Sequence, residues 1–272
     1  MRCKEFAKAV LAEDIGRGDL FERVGKHKEA AAKIVAKSQG VLAGVPYAQA
    51  IADELGLTIS WQKSDGEEFA PKELIARVYG DAIALLQAER SLLNTILHAS
   101  SIATKAREFV RLSEGKIKVL DTRKTRPLLR VFEKYAARVG GVVNHRMGLD
   151  DCLMIKDTHL ATIDDLHDFI KKARAFIPFT AKIEVECESF EMAKMAMEAG
   201  ADIVMCDNME IEEIEKVVTL RDSKFTHVLL EASGNITPQT IKSYIDLGID
   251  AISSGAIVHQ AVWPDISMKI DV

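Results

Sequence analysis

The sequence lacks any paired arrangement of cysteines. Its 272 residues contain four, Cys3, Cys152, Cys187 and Cys206, and no two of them form a CxxC motif. This spacing excludes the cysteine framework of a small disulfide-stapled domain and the ligand pattern of a zinc knuckle. We expect the cysteines to be small buried apolar residues of a protein in a reducing compartment.

The sequence also lacks a long apolar run and a secretory leader. A membrane-spanning helix needs about 20 predominantly apolar residues, and the N-terminal stretch "MRCKEFAKAVLAED" carries charges where a signal peptide is apolar. The formal net charge of -5 disfavours bulk binding to nucleic acid, which relies on positive fields. We therefore expect a cytoplasmic protein with neither a membrane nor a nucleic-acid partner.

Flexible linkers, repeats and low-complexity segments are absent as well, and the remaining pattern has two parts. From about residue 117, apolar runs such as "IKVLD" and "ADIVMC" alternate with stretches of helical period, including "TPQTIKSYIDLG". This alternation predicts an α/β fold with a parallel sheet closed into a barrel. We predict an N-terminal α/β domain over residues 1–104, with residues 262–272 as a candidate addition to it, and a barrel domain over residues 105–261.

Polar side chains follow the predicted barrel strands where each strand ends. The carboxyl ends of parallel barrel strands meet on one rim, where barrel enzymes place their catalytic groups. The sequence therefore predicts an active site at this rim. The residues concerned are Asp121 with Arg123 and Lys124, then Lys156, Glu186, Asp207, Glu231, Ser253 and Ser254.

Positive charge is concentrated after the first of these strands. Residues 121–160 contain eight Lys or Arg against five acids, although the whole chain is acidic. Close like charges repel by roughly 4 kcal/mol at an effective dielectric near 20, so this cluster indicates a polyanionic ligand. The Arg fork suits carboxylates and phosphates. Arg130, Lys134 and Arg138 lie one helical turn apart, and for them a solvent-exposed helix face is an equal alternative.

Three loop features add candidate functions. His145 and Arg146 follow the glycine pair of "VGGVVNHR", where His145 could bind an anion or carry a proton. Barrels often bind phosphate with the loops after their final strands, and two Ser-Gly turns occupy these positions. Glu186 and Asp207 could bind Mg²⁺. Lys156 alone would also permit a Schiff-base aldolase. The predicted phosphate-binding residues are Ser233, Gly234, Asn235, Ser254, Gly255 and Ala256.

Several of these segments resemble one family. "LDTRKTRPLLR", "EKYAARVGGVVNHRMGLDDCLMIKDTH", "KIEVECES", "DIVMCDN", "LEASGNI" and "GIDAISSGAI" are similar, in this order, to the quinolinate phosphoribosyltransferases. The similarity extends from "EDIGRGDL" to "DISM". The chain departs from the usual family pattern at Phe21, at Ser101 in place of Gly, and at Arg126 and Leu128 in place of Thr and Gly.

The resemblance implies a type II phosphoribosyltransferase with an N-terminal α/β sandwich unit and an open α/β barrel, assembled as a homodimer or as a hexamer built from such dimers. The implied reaction joins quinolinate to phosphoribosyl pyrophosphate with Mg²⁺, giving nicotinate mononucleotide, pyrophosphate and CO₂ in NAD biosynthesis.

The resemblance also implies roles for individual residues. It gives catalytic roles to Lys124, Lys156, Glu186 and Asp207, with the two acids also near the metal. It places Arg90 in the site of a neighbouring subunit. The implied substrate-binding set is Arg90, Thr122, Arg123, Lys124, His145, Arg146 and Lys156.

Two further functions stay open at this point. A nicotinate phosphoribosyltransferase-like enzyme would share the architecture but take a ring with one carboxylate. A non-catalytic relative would bind the anion without releasing pyrophosphate.

Overall fold

The computed structural model describes residues 2–271. Their contacts divide into two units. The first holds the residues up to Arg107 together with Arg126–Gly141 and the residues from Gln260 onward, and the second holds Glu108–Thr125 and Val142–His259.

The first unit is built on an antiparallel sheet of four strands in the order β12-β1-β5-β3, beside a two-stranded sheet of β2 and β4. Its strands are β1 (Glu29–Ala36), β2 (Gly40–Val41), β3 (Thr58–Trp61), β4 (Glu68–Phe69), β5 (Leu74–Asp81) and β12 (Ile266–Asp271). Its helices are α1 (Cys3–Ile15), α2 (Val45–Glu54), most of α3 (Ala82–Leu112) and α4 (Arg130–Val139).

Alternating burial explains the sheet of the first unit. In β1, Ala32, Ile34 and Ala36 are fully buried whereas the residues between them are half-buried. A period of two is what a strand with one face on a core requires. β12 lies at the edge of this sheet, paired with β1 through Ile34 opposite Met268, so the segment suggested as an addition to the N-terminal domain is an edge strand there.

Helix α4 packs within the first unit, although the sequence-based boundary assigns residues 126–141 to the barrel. Its Phe132 ring stacks on Phe6 at 4.9 Å and meets Tyr47 edge-on at 4.8 Å. These aromatic contacts explain why the segment counts with the first unit.

The second unit is a parallel sheet of six strands in the order β6-β11-β10-β9-β8-β7. The strands are β6 (Lys118–Leu120), β7 (Leu153–Ile155), β8 (Ile183–Cys187), β9 (Ile203–Asp207), β10 (Leu229–Ser233) and β11 (Ala251–Ser253). The helices of this unit are α5 (Asp157–Leu160), α6 (Leu166–Phe176), α7 (Phe190–Glu198), α8 (Ile211–Lys224) and α9 (Ala256–His259).

The strands of the second unit follow one another in chain order around an open barrel. β11 pairs with β6, but no pairing joins β6 to β7 within the described residues, so the barrel opens there. Consecutive buried residues such as Val204, Met205 and Cys206 fit strands that are covered on both faces. The predicted α/β fold with a parallel barrel is confirmed.

One local prediction is wrong. The stretch 237–248 is not an α-helix: it forms only a 3₁₀ turn, Ile241–Ser243, because its Thr, Ile and Tyr residues disfavour longer helix. For Lys134, the alternative of a solvent-exposed helix face is excluded, because this residue is only 1% exposed.

All four cysteines are free. Cys187 and Cys206 are buried opposite each other on β8 and β9, as expected, whereas Cys3 and Cys152 are only half-buried, contrary to the expectation. Among residues 2–271, none of the helices combines the length and the apolar character that crossing a membrane requires.

Candidate active site

A cavity of about 430 Å³ lies at the carboxyl ends of the barrel strands. Every one of the six strands contributes a lining residue from its end or from the loop that follows it. The lining residues are Thr122, Arg123, Lys124, His145, Arg146, Met154, Lys156, Glu186, Met205, Asp207, Ser233 and Ser253.

A tight turn after β6 brings two of the cations to this cavity. The backbone N–H of Lys124 donates to Thr122 Oγ1 at 3.0 Å, and the N–H of Thr125 donates to the carbonyl of Arg123 at 2.8 Å. These bonds fold residues 122–125 back on themselves, so Arg123 and Lys124 both line the cavity.

The buried carboxylate of Asp121 anchors the loop that supplies the next cation. Asp121 is 0% exposed; it accepts the backbone N–H of His145 at 2.8 Å and the side-chain amide of Asn144 at 2.6 Å. Arg146 follows directly and is itself buried, with Nη1 donating to the carbonyl of Cys152 at 3.1 Å. The strand-end acid Asp121 therefore positions a loop 24 residues later in the chain.

Lys156 already has an acidic partner in the cavity. Its Nζ donates to Glu186 Oε2 across β7 and β8. This pair neutralises part of the positive charge of the cavity. The cations therefore require less negative charge from a bound ligand than the sequence suggests.

Three titratable side chains form a trio in which His145 belongs to the cavity lining and the other two residues do not. His145 Nε2 lies 3.3 Å from Glu184 and 3.3 Å from Glu231, and both glutamates are buried. The other ring nitrogen, Nδ1, accepts the backbone N–H of Arg146 at 2.7 Å. Both nitrogens of His145 thus have partners inside the protein.

The pKa values of His145 and Glu231 are both raised within the trio. Burial lowers the pKa of His145, but its hydrogen bonds to Glu184 and Glu231 outweigh burial and raise that pKa to about 10. Burial also raises the pKa of Glu231. The two shifts describe one proton that His145 and Glu231 share. Because Nδ1 accepts the Arg146 N–H, the ring nitrogen that donates to the glutamates is Nε2.

The Ser-Gly turn after β10 packs closely against the end of β9. Gly234 has φ +97°, and a Cβ at this position would lie 2.2 Å from Oδ1 of Asn208 and 2.8 Å from its backbone nitrogen. Asn235 donates from its side-chain amide to Asn208 Oδ1 at 3.1 Å. Only glycine allows this approach.

Family models match both parts of the chain. Residues 19–100 match the N-terminal domain of quinolinate phosphoribosyl transferase, and residues 102–269 match its C-terminal domain. The chain belongs to the quinolinate phosphoribosyltransferase family. The resemblance predicted from the sequence motifs is therefore confirmed.

Individual members of the family match over nearly the whole chain. A probable carboxylating nicotinate-nucleotide pyrophosphorylase of Methanothermobacter thermautotrophicus is 38% identical, with 98% of each chain covered. The human carboxylating nicotinate-nucleotide pyrophosphorylase is 39% identical over 88% of this chain and 82% of its own. The solved nicotinate-nucleotide pyrophosphorylase of Francisella tularensis superposes with a TM-score of 0.91 at 33% identity, covering 99% of this chain and 96% of its own.

The structure brings most of the predicted site residues together. The cavity lining includes eight of the predicted substrate-binding and catalytic residues, namely Thr122, Arg123, Lys124, His145, Arg146, Lys156, Glu186 and Asp207, together with Ser233 from the phosphate set. Gly255 lies beside it, because a Cβ there would meet the Lys124 side chain at 2.8 Å. The other phosphate-loop candidates, Gly234, Asn235, Ser254 and Ala256, are not lining residues.

Among the predicted substrate-binding residues, Arg90 does not line this cavity. It is exposed on α3 and lines a separate cavity of about 420 Å³ in the first unit, with Asn94, His98 and Arg126.

Glu184 is a site residue that the sequence argument missed. It lies two positions before Glu186 in "KIEVECES". Alternate residues of a strand share a face, so this spacing could have placed both glutamates on the cavity side of β8.

Arg126 does not join the anion site. Glu133, fully buried on α4, accepts Arg126 Nη1 at 2.8 Å, the Arg126 backbone N–H at 2.8 Å and a hydrogen bond from His98 Nε2 at 2.8 Å. The arginine that departs from the family pattern is thus an ion-pair partner within the first unit.

We expect Glu133→Gln to destabilise the protein at pH 7 by about 1–3 kcal/mol, because it removes the charge of a buried carboxylate that accepts hydrogen bonds from His98 and from the half-exposed Arg126. Burial raises the pKa of Glu133, but hydrogen bonds from His98 and Arg126 outweigh it and lower the pKa from its ordinary 4.5. A lowered native pKa stabilises above the unfolded value and loses that effect as pH falls through the native one. Urea unfolding should therefore show the deficit of the variant shrinking below pH 4.5. The exposed control Glu215→Gln should unfold like the wild type, and an equal midpoint for Glu133→Gln at pH 7 would contradict the assignment.

Leu128 adopts a backbone conformation that favours glycine, the residue that the family usually has at this position. Its φ is +65° and its side chain is 85% exposed. A non-glycine residue in this region costs roughly 1–2 kcal/mol, so the departure at Leu128 adds local strain. Ser101, the other replacement of a family glycine, donates to the His98 carbonyl at 2.7 Å within α3.

The donor chemistry of the cavity fits Mg²⁺. Glu186 and Asp207 supply carboxylate oxygens from the ends of neighbouring strands. Mg²⁺ typically takes one or two carboxylates and leans on substrate phosphates and water for its other ligands.

Proposed function

We propose that this chain transfers the phosphoribosyl group of phosphoribosyl pyrophosphate to quinolinate, with loss of CO₂, and so produces nicotinate mononucleotide and pyrophosphate for NAD biosynthesis. The observation that carries the proposal is one cavity that combines four cations, Arg123, Lys124, Arg146 and Lys156, with strand-end carboxylates. Family membership and the names of the relatives support the same reaction.

Recognition of quinolinate would rest on the cations. Arg123 and Arg146 would hold the two adjacent carboxylates, with Lys156 as a third positive group. Their grip would direct the ring nitrogen at C1 of the ribose, and such orientation is a large part of catalysis for a two-substrate reaction.

The strand-end acids would serve the transferring sugar. As the bond from C1 to pyrophosphate breaks, its electron pair leaves with pyrophosphate and positive charge develops on the ribosyl group. Glu186 and Asp207 would stabilise that charge or hold the ribose hydroxyls. Lys124, beside the Gly255 turn, would meet the phosphates.

Bond formation at the ring nitrogen prepares decarboxylation. The nitrogen lone pair forms the bond to C1 and the nitrogen becomes cationic. The carboxylate next to it then leaves as CO₂, and the electron pair that remains on the ring carbon is stabilised by the neighbouring positive charge until a proton replaces the carboxylate. No separate electron-accepting cofactor is needed.

Mg²⁺ is proposed as the metal, held by Glu186 and Asp207 together with pyrophosphate oxygens. When bound, it would neutralise charge on the leaving group.

The test is an assay of purified protein with quinolinate, phosphoribosyl pyrophosphate and Mg²⁺, following nicotinate mononucleotide and pyrophosphate. Product from quinolinate but not from nicotinate is expected. Turnover of nicotinate alone would indicate the nicotinate enzyme, and saturable binding without pyrophosphate release would indicate a binding protein.

We expect chelation by EDTA to weaken phosphoribosyl pyrophosphate binding about tenfold, or about 1.4 kcal/mol by calorimetry. Unchanged binding in EDTA would contradict the metal assignment.

We further propose that the enzyme is a cytoplasmic homo-oligomer in which Arg90 serves the cavity of a neighbouring copy. Its exposure, and its separation from the lining of the barrel cavity, support this role. Mixing inactive Arg90→Ala and Lys156→Ala proteins after mild dissociation should restore activity. A mixture as inactive as its components, in a protein that sediments as an oligomer, would contradict it.

A further inference from the structure

The trio of His145, Glu184 and Glu231 has no assigned part in the reaction. His145 lines the cavity, yet Glu184 and Glu231 lie behind it and neither is among the lining residues. The two glutamates are 0% and 2% exposed. Burying two carboxyl groups beside each other is costly unless they serve a partner, and their shared partner is Nε2 of His145.

The connections of His145 lead to Arg146. Nε2 faces Glu184 and Glu231 while Nδ1 accepts the Arg146 N–H, so the ring braces the backbone of the next residue. Asp121 holds the other side of this loop through the His145 N–H. A ring whose two nitrogens are both engaged within the protein is placed to orient its neighbour rather than to donate to a ligand.

We propose that Glu231 and Glu184 are positioning residues that fix the His145 ring, and that the ring in turn fixes Arg146 for binding a substrate carboxylate. The proposal rests on the function proposed above, since it concerns recognition of the dicarboxylate ring.

The chemistry of the trio predicts which replacement of Glu231 is tolerated. Glutamine has the shape of glutamate, and its side-chain oxygen can still accept the Nε2 hydrogen bond. Leucine removes the acceptor and leaves the ring held by Glu184 alone.

The first experiment compares Glu231→Leu with Glu231→Gln. We expect Glu231→Leu to raise the KM for quinolinate by about 10- to 100-fold, as the loss of a supporting partner does at other sites. The KM for phosphoribosyl pyrophosphate should rise less than the KM for quinolinate, because Glu231 reaches Ser233 only along β10 whereas it contacts the His145 ring directly. Glu231→Gln should remain close to the wild type. Equal damage from both variants, or equal changes in both KM values, would overturn the proposal.

The second experiment needs no variant and no turnover. In protein labelled with ¹⁵N-histidine, the resonances of His145 should show one protonated and one bare nitrogen, and this pattern should persist on saturation with quinolinate. A doubly protonated ring, or a changed protonation pattern on adding quinolinate, would overturn the proposal. If the wild type makes no product, the proposed reaction is contradicted. The protonation pattern of the His145 ring without ligand still tests whether the ring is held by its contacts within the protein.

Discussion

Arg123→Ala is expected to lower kcat/KM for quinolinate by at least about 10²-fold, because a charge-assisted contact to a carboxylate in a shielded site is worth roughly 3 kcal/mol. Arg123 follows β6 in a turn that directs it to the cavity, where it faces the same space as Arg146 and Lys156. Steady-state kinetics with each substrate varied in turn provides the measurement.

A matched control comes from the same cation-rich stretch. Arg138 is exposed on α4 and is not among the lining residues of the barrel cavity, so Arg138→Ala removes a charge but no cavity side chain. Its kinetics should equal those of the wild type. Arg123→Lys should recover only part of the lost efficiency, since an ammonium cannot make the two parallel hydrogen bonds of a guanidinium. Near wild-type kinetics for Arg123→Ala, in protein with an unchanged melting temperature, would exclude Arg123 from quinolinate binding.

Gly234→Ala is expected to lower kcat/KM for phosphoribosyl pyrophosphate by about 10²-fold, because a displacement of about 1 Å in a positioning element can cost that much. The added Cβ would meet Asn208 at 2.2 Å, and part of that contact is with backbone, so the turn between Ser233 and Asn235 must move. Asn208 directly follows Asp207, so the displacement reaches a proposed catalytic acid.

Gly200 separates backbone strain from steric displacement. It too has a positive φ, +91°, but a Cβ there would have no neighbour within 4 Å. Gly200→Ala should therefore lose roughly 1 kcal/mol of stability from the left-handed conformation and retain its kinetics. If Gly234→Ala binds phosphoribosyl pyrophosphate as tightly as Gly200→Ala does, the turn is not a phosphate loop.

The fold and the rim of the site could be predicted from the sequence because both depend on periodic patterns. Parallel strands appear in the sequence as apolar runs, and their carboxyl ends must meet on one rim. The sequence alone therefore places Lys156, Glu186 and Asp207 together. Each residue was placed by its position in a strand, not by its contacts.

The contacts between individual side chains could not be predicted in this way, because they join residues that are distant in sequence. The bond from Asp121 to the His145 loop spans 24 residues, and the contact between His145 and Glu184 spans 39. Likewise, Arg126 could not be assigned until Glu133 proved to be buried beside it. The position of Lys134 on a helix was correctly inferred, but which face of that helix is buried depends on packing in the first unit, which local spacing does not encode.

The two facing thiols of β8 and β9 have a chemical consequence for the native enzyme. Burial raises the pKa of Cys187 and raises that of Cys206 to about 12, so neither sulfur is a thiolate at neutral pH. Both side chains are fully buried, so alkylating reagents reach them only when this part of the sheet opens. Glu186 and Asp207 directly adjoin the two cysteines in the same strands. The rate of alkylation therefore measures how often the catalytic rim opens, and any ligand that holds the two acids together should slow it.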